Sequence, residues 1–141
     1  MAVEKKATSV WRGSLMEGSG SVTSGSGVLS NVEVTWPKRA EQGAEATSPE
    51  ELIAAAHAAC YSMALSYGLS QAGNPPDELR VSAAVGFQPG EGITGIHLDV
   101  QGSVPGVDAS AFSAAAATAA ENCPVSKALT GVTITHSATL V

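Results

Sequence analysis

Aromatic side chains are scarce in this chain: two Trp, two Tyr and two Phe among 141 residues. The core of what reads as a single domain, residues 1–141, must therefore be assembled from Ala, Val, Leu and Ile. Cations are scarce as well. Seven Lys plus Arg stand against thirteen Asp plus Glu, a formal net charge of −6. That balance excludes the basic patch of a nucleic-acid binder and offers nothing to anionic lipid, so neither nucleic acid nor membrane is expected as a partner. Each cation near a reactive group gains weight for the same reason. The N-terminus "MAVEKKATSVWRG" lacks the apolar stretch of a signal peptide. The longest apolar run, "LIAAAHAACYSMALSYGL", is mostly alanine and holds His57, Ser62 and Ser66, and it reads as too weakly apolar to span a bilayer. A soluble, cytoplasmic protein is expected. Only two cysteines are present. In a reducing compartment such a pair points to catalysis or redox sensing before a structural staple.

The first 30 residues mix Gly and Ser with the β-prone pieces "TSVWRGSL", "GSVTSG" and "GVLSNVEVTW", which predicts an antiparallel meander. "WPKRAEQGAEA" reads as a polar loop. "TSPEEL" then opens a helix, with Ser48 as N-cap, Pro49 at the first helical position and Glu51 completing a capping box. The helix should run to about Gln71 and stop at Gly73-Asn74-Pro75-Pro76. "ELRVSAAVGF" and "GIHLDVQGSV" alternate and are joined by Pro89-Gly90-Glu91-Gly92, a β-hairpin. Ile96, Leu98, Val100 and Val104 should face inward. Asp108 caps a second, Ala-rich helix, "NCPVSKAL" starts a third, and "GVTITHSATLV" closes the chain as a strand with Val132, Ile134, Ala138 and Leu140 on one face. The fold class is α+β.

The chemistry centres on Cys60 and Cys123. At 100° per residue, Ile53, Ala56, Met63, Ala64 and Tyr67 share the face of Cys60. That face is apolar or small, so Cys60 should point into packing, where burial makes a thiol unreactive. Cys123 starts a helix, where free N–H groups and the dipole favour a thiolate, so it reads as the more acidic of the two. Three roles stay open. A structural disulfide would contribute roughly 4 kcal/mol in the chain-entropy model. A peroxide-reducing pair would use one thiolate to attack and the other to resolve. A metal site could combine His57, Cys60 and Cys123, but it lacks a fourth ligand.

A redox thiolate needs a cation. Arg39, or Lys38 beside it, is available before the long helix, and Arg has the planar fork that can pair a carboxylate and still face a thiolate. Glu51 is used in the cap, which leaves Glu50. Ten residues separate Glu50 from Cys60, about 15 Å along one helix. They cannot touch within one straight helix, so a site built at a subunit interface is expected.

"SPEELIAAAHAACYSMALS", "NCPVSKAL", "VPGVDASAF" and "GSGVLS" closely resemble the OsmC/Ohr family of thiol peroxidases, and "AAHAAC" is similar to its OsmC branch (osmotically inducible protein C). The resemblance covers nearly the whole chain. It implies an intertwined homodimer with long central helices, reduction of organic hydroperoxides and more weakly of hydrogen peroxide, and no metal or other cofactor. It implies Cys60 as the peroxidatic nucleophile, Cys123 as the resolving thiol, and Glu50 as the carboxylate that holds Arg39. An external dithiol of the lipoyl type would regenerate the enzyme. Met63 and Tyr67 are candidates to line the pocket for a hydroperoxide tail, with His57 one turn from Cys60 as a residue that could orient it. Trp11 and Trp36 read as packing residues. The alternative is a non-catalytic relative that binds an apolar ligand in the dimer groove.

Overall fold

Alternation and turn chemistry give strands where they were expected. The computed structural model describes residues 1–41 and 45–141. These divide into two compact units, 1–52 and 53–141, with the boundary inside the first turn of the long helix.

In the first unit, β1 (Ala7–Arg12), β2 (Ser19–Ser24) and β3 (Val32–Val34) form the antiparallel meander in the order β1-β2-β3. The segment read as a polar loop starts instead with a helix, α1 (Trp36–Ala40). Thr35 is its N-cap, with Oγ1 accepting from Lys38 N at 3.3 Å, and Pro37 lies in its first turn, where a missing N–H costs nothing. Part of that loop expectation, positions 42–44, lies outside the described residues.

The long helix α2 (Pro49–Gln71) begins and ends as the sequence requires. Ser48 Oγ accepts from Glu51 N at 3.1 Å, one half of the expected capping box. In place of the reciprocal half, the Glu51 carboxylate accepts from Thr47 Oγ1 at 2.9 Å. At the other end Gly73 takes φ of +85°, and Asn74 N and Gly73 N donate to the carbonyls of Leu69 and Ser70. That double closure satisfies the last carbonyls of the helix and needs a residue at ease with positive φ. By length and composition alone α2 could cross a bilayer, contrary to the sequence expectation. Its residues Tyr61, Leu65 and Leu69 are instead part of a protein core.

That core belongs to the second unit. β4 (Glu78–Gln88) and β5 (Gly92–Ser103) form the hairpin, and β6 (Ile134–Leu140) adds to β5 in parallel. A parallel neighbour needs a crossover. Here it is made by α3 (Ala109–Asn122) and α4 (Pro124–Ala128). Asp108 caps α3, its Oδ1 accepting from Ala111 N at 2.7 Å. Ile96, Leu98 and Val100 of β5, and Val104 just beyond it, face the core with Phe112, Ala116, Ala119 and Ala120 of α3. The opposite face of β4 is exposed at every second residue, as one-sided burial of a sheet dictates.

Candidate active site

The first unit holds a clamped cation. Arg39 Nε donates to Glu50 Oε1 and Oε2 at 3.1 and 3.2 Å, and Nη2 donates to Oε1 at 2.7 Å. Glu50 is only 5% exposed. The helix α1 also sets Trp36 three residues before Arg39, hence on the same face. The guanidinium carbon lies 5.8 Å from the centroid of the Trp36 ring. Trp36 was expected only to pack, yet it supports the cation through its π face. Lys38 takes a different carboxylate, Glu33 Oε1 at 2.9 Å, which raises its pKa through that hydrogen bond and the attraction of the charge. Trp11, Trp36 and Arg39 line a surface cavity of about 410 Å³ within this unit.

The second unit holds the thiols. Helix α2 brings Cys60 and helix α4 brings Cys123 to within hydrogen-bonding reach of each other, and both are free. Cys123 is fully buried at the N-cap of α4, while Cys60 is only half-buried. Cys60 packs against the core beside Ile53 and Ala64, as expected, but stays partly open. The buried stripe of α2 is His57, Tyr61, Leu65 and Leu69, and the Cys60 side carries Met63 and Tyr67 at 69% and 68% exposure. Alanine makes nearly the whole circumference of α2 apolar, so periodicity could not tell which face the core would take.

The two thiols differ in acidity in the direction that the helix start suggested. Burial pushes the Cys60 thiol up, the Val125 N–H opposes this, and Cys123 raises it further by accepting its proton and by its own charge. Burial would raise Cys123 too, but it is outweighed. The N–H of Ser126, the thiol of Cys60, the hydroxyl of Ser126 and the N–H of Val125 lie around the Cys123 sulfur and lower its pKa, although no N–H closes a side-chain cap on it. Of the two thiols Cys123 is therefore the more acidic and Cys60 the less acidic.

A groove of about 740 Å³ opens beside Cys60, walled by Met63, Ala64, Tyr67, Ala115 and Pro124 among others. The structure thus brings Cys60, Met63 and Tyr67 to one apolar surface. His57 does not line it. His57 is 0% exposed and its Nε2 lies 2.7 Å from Ser126 Oγ. Burial lowers the His57 pKa, so the ring is neutral. Ser126 went unnoticed in the sequence, where it appears only as a small polar residue three positions after Cys123. Among the described residues no group of three or more His, Cys, Asp or Glu side chains converges as a metal site would.

Comparison with known proteins identifies the family. The family pattern described as OsmC-like protein matches residues 42–137. The chain is 42% identical over 132 residues to Peroxiredoxin OsmC of Escherichia coli (strain K12), covering 92% of each chain. Among solved structures, the organic hydroperoxide resistance protein OhrB of Bacillus subtilis is similar with a TM-score of 0.68 and 28% identity, over 96% of this chain and 98% of that one. An OsmC-like protein from Mycoplasma pneumoniae, 18% identical over 100% of this chain and 99% of that one, shares the fold with a TM-score of 0.74. With two free thiols paired at an apolar groove and a relative of this similarity along nearly its full length, the chain belongs to the OsmC/Ohr family.

Proposed function

We propose that this protein is a thiol-dependent peroxidase that reduces organic hydroperoxides, and hydrogen peroxide more weakly, in oxidative and osmotic stress defence. The observation that carries the reading is the pair of free cysteines, 63 positions apart in the chain, held within reach of each other beside an apolar groove. The names of its relatives, a peroxiredoxin and an organic hydroperoxide resistance protein, point the same way.

In this reading the Cys60 thiolate attacks the distal peroxide oxygen. The O–O bond breaks, the alkoxide takes a proton and leaves as an alcohol, and Cys60 becomes a sulfenic acid. The Cys123 sulfur attacks Cys60, an S–S bond forms, and hydroxide leaves and becomes water. An external dithiol, of the lipoyl type or another small one, reduces the disulfide and is itself oxidised. Met63 and Tyr67 hold the organic tail. Burial raises the Cys60 thiol, so a cation is needed to favour its thiolate, and Arg39 clamped by Glu50 is assigned that role. Because ten helical residues, about 15 Å, separate Glu50 from Cys60, we assign the guanidinium to the partner subunit of a homodimer. Reduction by a soluble dithiol fits a cytoplasmic location.

Counting thiols after adding cumene hydroperoxide to the reduced protein tests this. Both thiols should be lost quickly, with turnover once dithiol is supplied. Cys60→Ser should abolish peroxide consumption, and Cys123→Ser should allow one turnover followed by over-oxidation. Full activity in Cys60→Ser would hand the attack to Cys123. The apolar groove favours one other reading, a non-catalytic protein that binds an apolar ligand there. It predicts saturable ligand binding with both thiols intact.

A further inference from the structure

We infer that His57 and Ser126 form a positioning relay behind Cys123, His57 Nε2–H donating to Ser126 Oγ and the Ser126 hydroxyl donating in turn to the Cys123 sulfur. His57 lies 69 residues from Ser126 in sequence, and the pair is buried, at 0% and 3% exposure. The His57 Nδ1 is buried and has no hydrogen-bond partner among the described residues. An unpartnered buried polar atom costs free energy. The neighbours of His57 on the same stripe, Tyr61, Leu65 and Leu69, show that an apolar side chain would suit the position.

The tautomer follows from counting donors. If Nδ1 carried the proton, Nε2 could only accept, and the Ser126 hydroxyl would be consumed by the ring. Cys123 would then lose a donor and a buried N–H would be stranded. With the proton on Nε2, both hydrogen bonds form in series and strengthen each other. Ser126 is the third residue of the short helix that Cys123 caps, so its hydroxyl, freed from the ring, can turn toward the sulfur, in the direction that lowers the Cys123 pKa. Because burial keeps His57 neutral, it acts through orientation and adds no charge. The remaining titratable groups facing Cys123 are Cys60 and Tyr61, both on α2. Tyr61 donates to Ala116 O at 3.1 Å and is pushed up to about 12 by burial, Asp99 and Cys123, so it stays neutral.

For the reaction, the relay prepares the second step. Cys123 displaces hydroxide from the Cys60 sulfenic acid. The S–O bond breaks, the S–S bond forms, and the proton that Cys123 gave up is regained by hydroxide as water. Only this kinetic part rests on the peroxidase reading. Two measurements separate the two. In Cys60→Ser protein, the thiolate absorbance of Cys123 against pH reads the relay without any peroxide. Adding Ser126→Ala or His57→Leu should move the titration to higher pH, and His57→Gln, which keeps a donor at the Nε2 position, should restore it. In protein with both cysteines, rapid mixing with hydroperoxide should show disulfide formation slowed about three- to tenfold, the size of one hydrogen bond, while the Cys60 attack does not slow. Unchanged titration in Ser126→Ala, or equal slowing of both steps, overturns the relay. Failure of the unmodified protein to consume hydroperoxide overturns the peroxidase reading and leaves the titration to decide the relay. If His57→Leu does not fold, Ser126→Ala, which deletes a single oxygen, carries the same test.

Discussion

Replacing Arg39 by Ala probes the proposed chemistry at its most exacting point. The guanidinium is clamped by Glu50 through three contacts of 2.7–3.2 Å and lies over Trp36. Burial raises the Cys60 thiol, so unaided it holds little thiolate. An ordinary thiol with a pKa near 8.5 is only about 3% ionised at pH 7, and Cys60 starts below that. A guanidinium in contact lowers a neighbouring acid by about 1–3 units. Each unit gives about ten times more thiolate, but nucleophilicity falls with a Brønsted coefficient of about 0.4–0.5, leaving a net gain of roughly three- to fourfold. Arg39→Ala should therefore slow peroxide attack about three- to sixtyfold at pH 7. The sign of the pH dependence is fixed. Without the cation the Cys60 pKa rises, so the rate profile moves to higher pH and the deficit closes once both sulfurs are ionised. The assay is single-turnover thiol loss by rapid mixing across pH. The variant also leaves the Glu50 carboxylate unpaired, a cost of at most about 3 kcal/mol, because the Arg39 side chain is 32% open to water. Folding should thus be checked beside activity. Lys38→Ala is the control, since Lys38 is paired with Glu33. An unchanged rate at pH 7, or a loss by one constant factor at every pH, refutes the reasoning.

Tyr67→Ser removes an apolar wall of the groove beside Cys60. It should raise KM for cumene hydroperoxide about five- to tenfold, a part of the burial energy of an aromatic ring, and leave KM for hydrogen peroxide alone. An equal rise for both substrates would place the tail elsewhere. Gly102→Ala would set a Cβ 2.4 Å from the ring of Phe112 and 3.1 Å from Leu79. Overpacking of this kind costs about 1–3 kcal/mol, read as a lower denaturant midpoint at constant m-value. Asp108→Ala removes the cap bonded to Ala111 N and should cost about 1 kcal/mol, seen as a lower midpoint while the rate of peroxide attack is kept.

Some features of the site could be read in one dimension because their causes are local. Ser48, Pro49 and Glu51 announce the start of α2, and Gly73 its end, since caps involve only neighbours in sequence. The same logic was available for α1. Thr35 and Pro37 are a helix-start signature, but the surrounding polar residues masked a helix of a single turn. With it went the i, i+3 relation of Trp36 to Arg39.

By itself, the sequence determined the α+β order of the elements other than α1, and it offered Arg39 and Glu50 as cation and carboxylate, a pair that the structure joins. Periodicity, caps and residue chemistry settle such matters within a few neighbours. The tertiary structure alone decided which side of α2 is buried, because an alanine-rich helix offers the core an apolar surface in nearly every direction. It alone added β6 in parallel to β5. It alone joined His57 to Ser126, because a hydrogen bond between residues 69 positions apart exists only once the chain has folded.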